Sequence, residues 1–374
     1  MSSAMLSAIG SWLAAGERMV AGIAALSVMV SACMAHAADP TRFTIEATVR
    51  GARLEGTPLN WSERQVMLLS RDGSFVDFRP DQATDYRKTS VDFRPYPIGT
   101  MSSRLQSELG SAYEVHATRH FIVACPRGER DRWAERFEEM YRSFVAYFSV
   151  RGFSLREPEF PLVAIVWKRK EDFQRYAVKD GSPLKGDVLG YYSLASNRVT
   201  LYDVGNGKAT TNDWQQNAAT VLHEAAHQTA FNTGIHNRLA PPPRWVAEGL
   251  GTMFEARGVW NSRTYTNQSD RINRERLAQF RAYVKTRRKS DSLPQLIASN
   301  RIFDTDSAAA YSECWALTFY LVETQPRLYA KYLARTATAA ATNSVQRTKD
   351  FTDVFGTDFR MLDARFLRFI DGLK

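Results

Sequence analysis

Residues 43–97 alternate apolar and polar positions between turn formers. Phe43-Thr44-Ile45-Glu46-Ala47-Thr48-Val49 has the period of two of a half-buried strand. Val66 to Leu69 and Ser74 to Phe78 read the same way, and Gly56, Pro58, Gly73 and Pro80 punctuate the stretch. The pattern predicts a small β-rich module, with Arg94-Pro95-Tyr96-Pro97-Ile98-Gly99 as a linker. From Tyr113 strands and helices alternate. Phe121 to Ala124 and Leu162 to Trp167 are continuous apolar runs suited to buried strands, and Val199 to Tyr202 is a third, reached through Gly190-Tyr191-Tyr192. Arg130 to Val150 carries helical periodicity through Trp133, Phe137, Met140, Tyr141 and Phe144, and a further helix includes Phe173 and Tyr176. Beyond Thr211 the chain is mostly helical. The expected organisation is an α+β protein: a β-rich module over 38–110 and a larger domain over 111–374.

Composition leaves that picture intact. The 374 residues are 44% hydrophobic and 24% charged, which excludes a disordered or fibrous chain. A net charge of +9 favours anionic surfaces, but spread over this length it does not call for nucleic acid, and no nucleic-acid-binding motif is present. The basic stretch Lys285-Thr286-Arg287-Arg288-Lys289 reads as a solvated face.

The first 37 residues read as a leader and stand apart from the fold. Met19 to Val30 is apolar and too short to span a bilayer, which takes about 20 residues. Ala35-His36-Ala37 offers a cleavage site that releases a soluble protein beginning at Ala38. Val30-Ser31-Ala32-Cys33 also resembles a lipobox, which would leave Cys33 acylated and the protein membrane-anchored. Either reading exports the protein to the periplasm or beyond. Of the three cysteines, Cys125 and Cys314 then remain, as a pair or as two buried thiols.

The chemistry concentrates in Val221-Leu222-His223-Glu224-Ala225-Ala226-His227. Four residues apart on a helix, His223 and His227 share a face and reach one ion, while Glu224 sits where a water on that ion would lie. Asn212 is placed to cap this helix, with Gln215 three residues on, and Gly234 to stop it. Two imidazoles and one carboxylate suit catalytic Zn2+. An extended histidine motif would need Gly at 230 and His at 233, and those positions hold Ala230 and Thr233. Glu248 supplies the alternative third ligand, in Pro243-Arg244-Trp245-Val246-Ala247-Glu248-Gly249, after twenty intervening residues that leave room for a turn and a returning helix.

An HExxH helix followed by a W-x-x-E-G helix resembles the gluzincin metallopeptidases, the group of thermolysin and the large zinc aminopeptidases. The stretch from Tyr113 to about Tyr332 also resembles an exported bacterial domain family of unknown function built on such a site. The resemblance implies a zincin-like domain with a sheet-bearing upper half and a helical lower half. It implies that Glu255 supports the ligand shell. It also implies that Tyr311, which opens Tyr311-Ser312-Glu313-Cys314-Trp315, is a catalytic tyrosine. His236 is the rival for that task, since other gluzincins use a histidine. The Gly-x-Met-Glu-Asn segment of the aminopeptidases is missing, so their exopeptidase activity does not carry over.

The expected function is zinc-dependent hydrolysis in the cell envelope, with Glu224 as general base and a peptide or protein as substrate. Two alternatives stand beside endopeptidase: a zinc amidase on a non-protein envelope polymer such as peptidoglycan, and a non-catalytic, zinc-stabilised envelope-binding protein.

Overall fold

The computed structural model describes residues 42–90, 92–184, 188–204, 211–338 and 343–374, with side chains left out at 130–132 and 211–217. The leader, Cys33 and both processing readings lie outside the described residues.

Strands β1 (Thr44–Val49), β2 (Ala52–Trp61), β3 (Val66–Ser70), β4 (Phe75–Phe78) and β5 (Ala83–Ser90) form one antiparallel sheet in the order β4-β3-β2-β1-β5. Ile45, Ala47, Val49, Val66, Leu68 and Phe78 make its core. Alternation alone does not mark β2 or β5. β2 carries Gly56 and Pro58, which weaken any strand signal, and β5 is exposed along almost its whole length. Pairing with β1 makes both of them strands.

Helix α1 (Ile98–Leu109) starts inside the expected linker, and its Met101 and Leu105 pack on Ile122 and Ala124 of the next sheet. That sheet contains β6 (Tyr113–Ala117), β7 (Phe121–Pro126), β8 (Leu162–Trp167), β9 (Gly190–Tyr192) and β10 (Arg198–Tyr202) in the order β6-β7-β8-β10-β9. β7, β8 and β10 are parallel, and the edge strands β6 and β9 run antiparallel to them. The central strands are buried on both faces, as their unbroken apolar runs require. Helix α2 (Arg130–Ser149) covers one face with Trp133, Phe137 and Phe144. Helix α3 (Lys170–Lys179) and α1 cover the other.

The described residues beyond β10 are mostly helical: α4 (Thr211–Thr233), α5 (Arg244–Phe254), α6 (Arg257–Trp260), α7 (Arg274–Thr286), α8 (Ser292–Ala298), α9 (Arg301–Thr305), α10 (Ser307–Thr324), α11 (Pro326–Thr338), α12 (Ser344–Phe355) and α13 (Phe359–Asp371). The protein is thus a mixed α+β structure, β-rich at its N-terminal end and helical at its C-terminal end. α4 stops at Gly234, whose φ of +91° only glycine adopts readily. The expected cap, Asn212, falls inside α4 instead of before it. Cys125 and Cys314 are both free and buried.

Contacts between turns join the first sheet to the second. The Phe75 N–H donates to the Ala195 carbonyl at 2.8 Å. Arg238, in the segment after α4, donates to the carbonyls of Gly73 (2.8 Å) and Leu194 (2.6 Å). The β3–β4 turn therefore rests on the β9–β10 turn.

Helices α5 and α10 form the centre of the helical half. All of α5 is buried, and α10 is buried from Ala309 to Val322. Their approach depends on Gly249, where a Cβ would stand 2.8 Å from the Cys314 carbonyl oxygen and collide with Thr318. Gly249→Ala is expected to destabilise the protein by about 1–3 kcal/mol through overpacking. Gly99→Ala, at an exposed helical position with nothing within 4 Å, is expected to be neutral or slightly stabilising. Denaturant midpoints of the two variants check the difference.

Candidate metal centre

α4 presents His223 and His227 one turn apart, with their Nε2 atoms 3.0 Å from each other. α5 crosses this face and delivers Glu248, whose Oε2 lies 3.3 Å from His223 Nε2 and 3.6 Å from His227 Nε2. A tetrahedral ion with bonds of about 2.0–2.2 Å needs donors about 3.3–3.6 Å apart. The two edges to Glu248 fall in that range and the edge between the imidazoles, at 3.0 Å, is somewhat shorter, so His223, His227 and Glu248 form a buried group that could hold a metal ion. An orphaned atom supports the fit: Glu248 Oε2 is buried and makes no hydrogen bond among the described residues. Such a carboxylate oxygen is costly unless a cation receives it.

The neighbouring residues fix the ligands. His223 Nδ1 lies 2.9 Å from Glu255 Oε1, and the other Glu255 oxygen accepts the Asn273 amide at 2.7 Å. A carboxylate acceptor at Nδ1 places the proton there, so Nε2 presents its lone pair to the ion position. Asn273 also caps α7 by accepting the Arg276 N–H, so one residue joins the start of that helix to the site. Arg276 reaches within 3.9 Å of Glu255, and Arg244 Nε lies 3.7 Å from the second oxygen of Glu248.

Before a cation binds, burial and these charges set the protonation states. Burial opposes charging His223, but Glu248 and Glu255 override it and push its pKa up to about 10. His227 is lowered, chiefly by burial. Burial would raise Glu248, yet the two imidazoles and Arg244 hold it well below the usual carboxylate range. Glu255 is likewise lowered against its burial, by Arg276 and His223. Glu224 goes the other way: burial pushes it up to about 8, against the pull of His223 and with the push of Glu248 and Glu255. Its Oε2 is buried and makes no hydrogen bond among the described residues.

The fold therefore brings together five of the six site residues named from the sequence: His223, Glu224, His227, Glu248 and Glu255. Tyr311 is joined to Glu248 through Arg244. It is fully buried, its hydroxyl is 3.5 Å from Arg244, and its ring meets Phe303 edge-on. His236 is also buried; its Nδ1 is 3.1 Å from the Ile235 carbonyl, and its Nε2 makes no hydrogen bond among the described residues. Burial, followed by the charge of His227, lowers the pKa of His236 to about 3.

Sequence reasoning missed Asn273, Arg244, Arg276 and Gly251. Asn273 is legible as a helix cap, but its bond to Glu255 spans 18 residues and has no local signature. Gly251 lies in α5, two residues beyond Gly249, and a Cβ there would sit 2.8–3.1 Å from the His223 ring.

Gly251→Ala is accordingly expected to displace His223 and weaken metal affinity by about 10–100-fold, the usual cost of disturbing a ligand's support. Helix content should be retained. Metal titration of the variant beside the wild type, with circular dichroism of each, checks this.

The sequence pattern of one family matches the chain over residues 217–342, a stretch that contains the metal-ligand group, Glu255 and Tyr311. Its description is DUF1570, a protein of unknown function. No curated protein matches the chain.

Proposed function

We propose that this chain is a zinc-dependent hydrolase of the cell envelope, and that it acts as an endopeptidase. The observation that carries the proposal is the convergence of two imidazoles and a carboxylate at 3.0–3.6 Å, with a buried carboxyl one residue along the helix. A purely structural site has no use for Glu224.

Zinc, when bound by His223, His227 and Glu248, supplies Lewis acidity that brings a water's pKa toward about 7 and polarises a carbonyl. Glu224, the buried carboxyl next to His223 on the same helix, would take the proton from the attacking water as carboxylate and pass it to the leaving amine. Glu255 and Asn273 keep His223 oriented throughout. In the zincin-like arrangement we propose, strand β9 borders the substrate cleft. Gly190 brings this edge strand against α4, where a Cβ would meet Thr220 at 2.8 Å, less than one turn before His223. An extended peptide adding to that edge would lie alongside the site. The apolar start of the sequence supports placing the activity outside the cytoplasm.

Glu224→Gln keeps the side chain's size and removes its basicity. The ion held by His223, His227 and Glu248 should be retained, while turnover falls by about 10²–10⁴-fold. His227→Ala should lose the ion of this centre. Turnover would be read on an unbiased peptide library beside peptidoglycan fragments, which separates peptidase from amidase. Full activity of Glu224→Gln on a verified substrate would remove it as the base.

The oxyanion donor has two candidates, and the structure distinguishes their surroundings. The Tyr311 hydroxyl is engaged by Arg244, whereas His236 Nε2 makes no hydrogen bond among the described residues. That observation gives the second reading, His236 as donor, its weight. Loss of the donor costs about 10²–10³ in kcat and leaves metal content unchanged. Measuring kcat for Tyr311→Phe and His236→Ala assigns the role to the variant that shows this loss.

A further inference from the structure

A second group of metal-ligating side chains lies at the edge of the second sheet opposite β9. Glu114 and His116 are two apart on β6 and point to the same face. Cys125 on β7 is the cross-strand partner of Glu114 in the antiparallel register. His116 Nε2, a Glu114 oxygen and Cys125 Sγ all lie within 4.8 Å of one another.

The local structure aims these groups at a common point. The Gly128 N–H donates to Glu114 Oε1 at 2.8 Å, which leaves Oε2 turned toward His116, 3.5 Å from Nε2. Gly128 has a φ of +92°, so the turn that positions this donor is one that glycine adopts readily. His116 Nε2 is buried and makes no hydrogen bond among the described residues. Cys125 is free and completely buried.

We propose that Glu114, His116 and Cys125 form a second metal site, selective for a borderline-soft divalent cation such as Zn2+, that staples edge strand β6 to β7. One thiolate, one imidazole and one carboxylate are donors of this class and not of Mg2+ or Ca2+, which take oxygen ligands. The charges also balance: a thiolate and a carboxylate neutralise a dication, with the imidazole neutral. Without a cation, burial raises the Cys125 thiol to about 12, with Glu114 and Glu129 adding to the rise. Binding therefore transfers the thiol proton to solvent as the metal–sulfur bond forms. The site rests on residues remote in sequence from His223, His227 and Glu248, and it does not depend on the hydrolase proposal.

Cobalt(II) tests it, because a thiolate ligand gives an intense near-ultraviolet charge-transfer band that a His-His-Glu site does not. The full chain carrying His227→Ala, which disables the first centre, is titrated with cobalt. One equivalent should bind with the thiolate band, and zinc should displace it. Adding Cys125→Ser should abolish the band, Cys314→Ser should leave it unchanged, and His116→Ala or Glu114→Gln should weaken binding at least about tenfold. These last two alter half-buried positions and keep the test decisive if Cys125→Ser does not fold. Three outcomes would overturn the site: no thiolate band in a folded protein, a band lost with Cys314→Ser instead of Cys125→Ser, or binding indifferent to both His116 and Glu114.

Discussion

Glu248 is a carboxylate held inside the protein, and the surrounding structure is arranged around the cost of burying it. Isolated in an apolar interior, an ionised carboxylate costs several kcal/mol or more. Here two imidazoles, Arg244 and the proposed ion share that charge. The arrangement requires α5 to cross α4 closely, and small residues make that crossing feasible. Gly251 leaves space for the His223 ring, and Gly249 lets α10 close over the opposite side of α5.

The same helices carry an outer set of partners that hold the inner set in place. Glu255 ends the α5 segment and orients His223, Asn273 caps α7 and holds Glu255, and Arg276 in the first turn of α7 adds charge. Each residue has a local structural task as well as a task at the site. Disturbing the packing of α7 is therefore a route to disturbing the metal ligands without touching them. The first sheet bears on the same region from the other side, since its β3–β4 turn and Arg238 brace the β9–β10 hairpin next to α4.

How much of this was legible in the chain varies by element. β7 and β8 are readable because strands buried on both faces need unbroken apolar runs. β5 is not, because seven of its eight residues are exposed and only pairing with β1 defines it. α1 was obscured by Pro95 and Pro97: prolines before a helix look like a linker until the helix has something to pack against. Asn212 resembles a cap by its spacing, but the helix runs past it.

The sequence by itself pointed to the candidate metal group. Helical periodicity converts a spacing of four residues directly into a shared face for His223 and His227, and the chain between them and Glu248 leaves room for a second helix to return past that face. What tertiary structure decided was which remote groups attend those ligands. Asn273, Arg276 and the contact of Tyr311 with Arg244 depend on how α5, α7 and α10 cross, and a crossing leaves no periodic trace in the chain. The convergence of Glu114, His116 and Cys125 was hidden for the same reason. It depends on the register of β6 against β7, which is fixed by inter-strand hydrogen bonds and burial and not by any spacing that the residues themselves carry.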